Sequence, residues 1–376
     1  MDISIITTYR CNSRCSMCNI WKNPTHPDYE VDLETLEKLP AGFDYLNITG
    51  GEPTLRKDLL SICHTLAPKT KTLEISTNGL NGDVLESVVR KYPNIKIRIS
   101  VEGLDGKNDV IRGERNGFEK KLETMKRLIA AGGKDLGFAT TFQDENSDQI
   151  VVLYQLAESL HVELATSALH NGFQFHKNDN QIYDRVRVAK QVEFLVTEML
   201  SSWKVKTWFR AYLNLGLIAK ILGQQRLHPC KQGTDSVFVD PWGDVYACNV
   251  RNDLHMGNLR TQSWQEIYQG DVAQAVRSKV TECPQNCWMV SSAKTAIRNK
   301  HFARLPKTSV LRWVLINKLK LLVGRSIAFE RYVDYAHVPD SSGATRRVSY
   351  LERPEKKVLQ PEESRRYTQL DSYFNR

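Results

Sequence analysis

The chain has 376 residues, 41% apolar and 25% charged, with a formal net charge of +9. That length and apolar share can bury one large core plus a smaller domain, which excludes a disordered chain. Met1-Asp2 leads into a strand-like run without a secretory pattern, and no run of 18 apolar residues is present, so a cytoplasmic location is expected.

The first strand-like run, 3–8, leads into Cys11, Cys15 and Cys18, spaced C-x3-C-x2-C. Three thiolates so close can hold three corners of a cubane iron–sulfur cluster and leave one iron open. A closed zinc site wants four ligands, and apart from His26 no His or Cys lies within 40 residues after Cys18. Strand-like runs at 44–49, 72–77, 95–101, 136–142 and 161–167 then alternate with helix-like runs at 32–39, 57–67, 82–91, 117–131 and 147–160. Six βα units predict a parallel sheet with right-handed crossovers, with chemistry at the carboxyl ends of its strands. There the sequence places Gly50, Gly51, Glu52 and Pro53, then Ser76 and Asn78, then Ser100 and Glu102, and beyond them Arg112. Glycines let carbonyls approach a cation that Glu52 can pair with. Ser76 and Asn78 also suit ordinary turn chemistry. Arg112 matches a carboxylate in geometry, or is solvated at the surface. Cys63 reads as a small core residue or a hydrogen-atom donor, and His170 as a substrate contact or a solvated loop residue.

Residues 183–223 look helical and apolar-rich, with Trp203, Trp208 and Phe209 near their middle. Beyond them come Cys230, Cys248, Cys283 and Cys287, the first pair flanking a strand, tight turn and strand around Gly243. Eight cysteines in a cytoplasmic chain point to metal rather than disulfides, and a C-x3-C pair also suits tetrahedral zinc. Residues 294–376 hold 18 basic and 8 acidic residues, so the rest of the chain is nearly neutral. Within 294–329 there are nine basic residues and no acidic one, including a helix-like run from Leu311 to Val323 that Ser309 could cap. Basic, tryptophan-bearing helices lie on anionic lipid. Asn317 and Lys318 interrupt the apolar side, which gives docking on the catalytic body equal standing. No aromatic-lined module supports nucleic-acid binding, which is not expected, and 340–376 is polar without an apolar pattern.

With the cysteine triplet, Met17 before its last cysteine, and Gly50-Gly51-Glu52-Pro53 about thirty residues downstream, the chain resembles radical S-adenosylmethionine (radical SAM) enzymes. The resemblance runs from Asp2 to about Gly172 and resumes from Cys230 to Met289. It implies an α/β fold: a partial (β/α)6 barrel over 1–182, a helical bridge over 183–228, a small auxiliary-cluster domain over 229–293 and a basic helical, partly mobile extension over 294–376. The four later cysteines resemble the shortened, "twitch" form of the SPASM domain. The implied cofactors are S-adenosylmethionine (SAM) and two 4Fe–4S clusters, one at Cys11, Cys15 and Cys18 and one at Cys230, Cys248, Cys283 and Cys287. Gly50, Gly51, Glu52 and Pro53 would meet the amino group of SAM, and Ser76, Asn78, Ser100, Glu102 and Arg112 its ribose and carboxylate. Glu102 stands where such enzymes more usually carry Asp.

The implied reaction is reductive cleavage of SAM to a 5′-deoxyadenosyl radical that takes hydrogen from an unactivated carbon. The second cluster would accept the remaining electron, and a flavodoxin or ferredoxin would supply the first. A sugar, nucleotide or lipid-linked small molecule is the first expectation for substrate. Peptide or protein modification is the alternative, with only ten residues before Cys11 to hold a leader-binding module. A metal-cluster regulatory protein would leave the glycine and strand-end motifs without a reason. The basic segment adds peripheral contact with the inner membrane surface to the expectations.

Overall fold

The computed structural model describes residues 1–289, 293, 310–339, 345–347 and 354–370. Six strands, β1 (Asp2–Ile6), β2 (Tyr45–Thr49), β3 (Leu73–Thr77), β4 (Lys96–Ser100), β5 (Asp135–Phe142) and β6 (Glu163–Ala168), lie side by side in chain order. All five pairings are parallel, in registers such as Ile3↔Leu46 and Ile75↔Ile97. A helix follows each of the first five: α1 (Leu33–Glu37), α2 (Leu59–Leu66), α3 (Gly82–Lys91), then α4 (Asp105–Arg112) with α5 (Gly117–Ala130), and α6 (Ile150–Ser159). This is the expected α/β architecture of a partial (β/α)6 barrel.

Strand alternation assigns the two faces. Ile3, Ile5, Leu46, Ile48 and Ile75 are fully buried in the hydrophobic core, each contributing about 1.5–3 kcal/mol. Their neighbours Ser4, Asn47 and Ser76 turn to the barrel interior and line its cavity. Helix α4 was not among the predicted elements, being short and nearly all polar. It ends at Gly113, where φ is +60° and a Cβ would meet the Arg14 carbonyl oxygen at 2.6 Å, leaving no room for a side chain.

The predicted bridge is two packed helices, α7 (Arg185–Ser201) and α8 (Val205–Ile221). Helix α8 runs beside β6, where the Lys220 ammonium donates to the Ala168 carbonyl at 2.8 Å, and its Phe209 and Leu213 wall the cavity. Strand β7 (Ser236–Val239) pairs in parallel with β1, and β8 (Asp244–Tyr246) and β9 (His255–Asn258) follow antiparallel. The short strands of the C-terminal domain thus continue the barrel sheet, to nine strands in all.

Beyond them, the Val310–Leu322 helix packs on α7 and α8 through Trp313, Val314, Asn317 and Lys318. Docking on the catalytic body is therefore the arrangement found for this helix. Five of the nine basic residues of 294–329 lie outside the described residues. The polar end also packs in part. A helix at Pro361–Thr368 buries Tyr367, whose hydroxyl donates to Asp105 Oδ2 at 2.9 Å and whose ring meets Phe118 edge-on. One aromatic residue in a charged helix makes the contact, too little to give an apolar period. Among the described residues no helix is long and apolar enough to cross a membrane.

Candidate active site and cofactor sites

The loop after β1 carries Cys11, Cys15 and Cys18 to the mouth of a cavity of about 620 Å³ inside the barrel, and all three line it. Backbone and buried charge fix that loop. Gly51 N–H donates to the Thr8 carbonyl and Glu52 N–H to the Arg10 carbonyl, at 2.7 and 2.8 Å. A Cβ on Gly50 would meet the Thr8 oxygen at 2.5 Å, and one on Gly51 the Arg10 oxygen at 2.3 Å. The paired glycines are thus required by backbone packing against the cysteine loop, and both also border the cavity.

Glu52 and Pro53 do not line the cavity. The Glu52 carboxylate is fully buried and accepts from Thr54 N–H, the Thr54 and Thr77 hydroxyls and Asn78 N–H, at 2.6–3.0 Å. A free carboxylate facing a ligand cation is not what these residues form; Glu52 instead ties the ends of β2 and β3 together. Asn78 makes a turn bond from Leu80 N–H and also donates to Asn12 and Ser13 within the cysteine loop, so turn chemistry and loop anchoring coexist. Ser76 donates to Asn47 at 3.0 Å, and Ser100 faces the same interior.

Arg112 is buried rather than solvated. It pairs with Glu102 at 3.1 Å and Glu114 at 3.3 Å, and Lys121, fully buried, binds Glu114 at 2.6 Å. The other oxygen of Glu102 accepts from Thr141 N–H and the Thr140 hydroxyl, which makes Glu102 a brace for Arg112 at the cavity wall, where both residues line it. Burial opposes the Arg112 charge, but Cys15 and the two carboxylates beside it hold it strongly protonated. Burial, and then repulsion from Arg112, bring Lys121 down to about 8. Glu114 and Lys121 escaped the sequence reading because nothing in their spacing distinguishes them from surface charges.

Glu30 escaped it too. Arg10 grips its carboxylate through two nitrogens at 2.8 and 2.9 Å, Thr8 and Thr25 donate to it, and Arg56 approaches at 3.4 Å. Burial pushes the Glu30 carboxyl up, but the bonds from Arg10 and the two threonines outweigh it and hold the group below its ordinary range.

The second cysteine set closes on itself. Cys230, Cys248, Cys283 and Cys287 surround a space of about 20 Å³ together with Val250, Leu254 and Val280. Trp288 anchors this wall: its ring lies where a Cβ on Gly216 would come within 2.0 Å, and its indole donates to the Leu213 carbonyl at 2.8 Å. Burial raises the Cys287 thiol to about 11, with Lys220 acting against the rise. Met289 lines both this space and the barrel cavity, so the two sites share a wall residue.

His170 lines the cavity, and burial, with help from Lys220, pushes its imidazole down to about 3. Its Nδ1 meets the Ala168 carbonyl at 3.1 Å. A carbonyl only accepts, so the proton sits on Nδ1 and Nε2 is a bare acceptor, without a partner among the described residues. Cys63 is fully buried in the core and does not line the cavity. Burial lifts its thiol to about 12, so the hydrogen-donor expectation is replaced by the packing one.

The profile of the radical SAM superfamily matches residues 5–157, and that of the SPASM iron–sulfur cluster-binding domain matches residues 230–289. The chain belongs to the radical SAM superfamily. Among relatives, it is 29% identical over 298 residues to pre-heme d1 synthase of Dinoroseobacter shibae, covering 70% of this chain and 72% of that protein. It is 24% identical over 276 residues to the mycofactocin maturase MftC of Mycolicibacterium smegmatis, covering 70% and 68%. The fold matches SuiB of Streptococcus suis bound to precursor peptide SuiA, with a TM-score of 0.54 at 16% identity over 74% of this chain and 66% of that one. As a radical SAM enzyme with a SPASM domain, this protein uses SAM and two 4Fe–4S clusters. The residues fit that demand: three thiols at an open cavity leave one cluster corner for a ligand, and four thiols around an apolar space suit a closed cluster.

Proposed function

We propose that this radical SAM enzyme oxidises a carbon of a peptide substrate, with Cys11, Cys15 and Cys18 holding the SAM-binding cluster and Cys230, Cys248, Cys283 and Cys287 the second. Similarity to a maturase over 70% of the chain supports a peptide ahead of the sugar or nucleotide first expected. The observation that carries the reading is the cavity. Its volume of about 620 Å³ falls within the roughly 300–1,000 Å³ of a single small-molecule site. SAM takes part of that space, and the remainder admits one side chain while the rest of a peptide stays outside.

When bound, SAM and the reduced first cluster supply the means to abstract hydrogen from an unactivated carbon. The chain's own residues orient and protect. Ser4, Asn47, Ser76 and Ser100 offer hydrogen bonds to the entering group, and the His170 Nε2 acceptor suits a peptide N–H. Phe209, Leu213, Phe238 and Met289 exclude water from the reacting carbon. Met289, shared by both sites, gives the departing electron a short path to the second cluster.

The test is anaerobic turnover with reductant and a precursor peptide encoded beside this protein. The expected result is peptide-stimulated 5′-deoxyadenosine and a product lighter by two hydrogens. A second reading, a small-molecule substrate, is favoured by the 29% identity to pre-heme d1 synthase. Stimulation by a tetrapyrrole, nucleotide or sugar and not by peptide would replace the peptide reading.

A further inference from the structure

The Val310–Leu322 helix docks through a face that mixes polar and apolar residues. Trp313, Val314, Asn317 and Lys318 are buried on α7 and α8, and the Lys318 ammonium donates to the Ser201 and Ser202 carbonyls at 3.0 and 2.8 Å. Most of its leucines, with Ile316, point the other way. Leu311, Leu315, Ile316, Leu319, Leu322 and the following Val323 are 39–69% exposed. Their helical spacing places them in one stripe. Arg312 and Lys320 lie along that stripe, with Arg325 just beyond its end. Trp203, 76% exposed in the turn between α7 and α8, stands at the edge of the docked helix, with the Lys318 ammonium 4.5 Å from its ring centre.

A contiguous apolar surface of this kind marks an interaction site, and its charge selects the occupant. Residues 294–329 contain nine basic residues and no acidic one, on a chain whose first 293 residues are nearly neutral. A second copy would set that charge against itself, whereas an anionic bilayer neutralises it while accepting the leucines. We infer that the exposed face of this helix, with Trp203, is a membrane-binding surface that lies in the plane of a bilayer bearing anionic headgroups. Thirteen helical residues bury only one face at the headgroup boundary, and nearby Lys and Arg side chains hold that face to the anionic surface. The inference stands independently of the substrate.

Co-sedimentation of the full cluster-loaded chain with vesicles tests it. Vesicles containing phosphatidylglycerol should pellet the protein, phosphatidylcholine vesicles should not, and raising salt should release it. The triple variant L315E/L319E/L322E changes only exposed side chains and should retain its iron and circular dichroism. It should lose about tenfold or more of the vesicle binding, as charged groups do at an interfacial apolar face. Equal binding to both vesicle types, or no binding to either, overturns the inference. So does unchanged binding by a folded triple variant. Self-association that the triple variant abolishes, without vesicle binding, assigns the surface to a second copy instead.

Discussion

The two cysteine sites are built on opposite principles. The first sits on a loop held by backbone-to-backbone contacts with Gly50 and Gly51 and by buried ion networks around Glu30 and Arg112, and it opens into a cavity of about 620 Å³. The second is packed rather than braced, four thiols around about 20 Å³ of largely apolar space, pinned by Trp288 against Gly216. Open space with fixed charge suits a site that must admit ligands and orient them. Closed apolar packing suits a site that passes electrons without binding anything. The difference supports the proposed division, with chemistry at the first site and relay at the second.

The comparison breaks most readily at the thiols. Replacing Cys11, Cys15 and Cys18 together by Ala should lower bound iron from about eight to about four per chain and reduce SAM cleavage to the uncatalysed background. Cleavage that survives this replacement would remove the first site from the reaction. Replacing Cys283 and Cys287 should lose the other half of the iron yet leave cleavage of SAM uncoupled from product. Loss of cleavage in that variant would show that the second site supports radical generation, not relay alone.

A matched pair of glycine substitutions sharpens the contrast. In Gly51→Ala the new Cβ would meet the Arg10 carbonyl at 2.3 Å, and backbone cannot yield. Overpacking of this kind costs about 1–3 kcal/mol, taken here as displacement of the cysteine loop. SAM cleavage should fall about tenfold, with first-site iron reduced in proportion and second-site iron kept. In Gly216→Ala the clash is with the Trp288 ring at 2.0 Å, so Trp288 and the adjoining Cys287 must shift. Second-site iron should fall while cleavage persists. Iron analysis and 5′-deoxyadenosine measured on both variants decide the matter; identical profiles would mean that the two sites are not independent.

What the sequence disclosed, and what it withheld, follows the same division. The parallel strands, both cysteine sets and the Gly50-Gly51 turn were legible because strand periodicity and cysteine spacing are local patterns. Glu30, Glu114 and Lys121 were not, since their importance arises only when loops far apart in sequence bury them together, as with the 2.5 Å contact between Ser13 and Glu114. Glu52 was legible as a strand-end residue, but its bonds from Thr54, Thr77 and Asn78 were not, because they join the ends of two strands far apart in sequence. Which side of the Val310–Leu322 helix docks was not legible, for a related reason. Its composition fits either face inward, and only the Ser201 and Ser202 carbonyls that receive Lys318 decide which side docks.

The smallest effect concerns stability and isolates the charge that braces the first site. The Glu30 side chain is only 1% exposed and bound by Arg10, Arg56 and two threonines. Glu30→Gln keeps the shape but removes the charge, and hydrogen bonds to a charged group contribute about 2 kcal/mol net. The folded carboxyl sits below its ordinary value, so the unfolded chain takes up a proton first as pH falls. Its stabilisation is therefore complete above the unfolded value of about 4.3 and is lost as pH drops through the folded one. Wild type should exceed Glu30→Gln in unfolding free energy by this margin at pH 7, with the margin constant above about pH 5.5 and shrinking below about 4.3. Urea unfolding of both proteins across that range measures it. A gap that persists undiminished at the acid end would mean that Glu30 acts through packing alone, and the first site would then be packed rather than braced by charge.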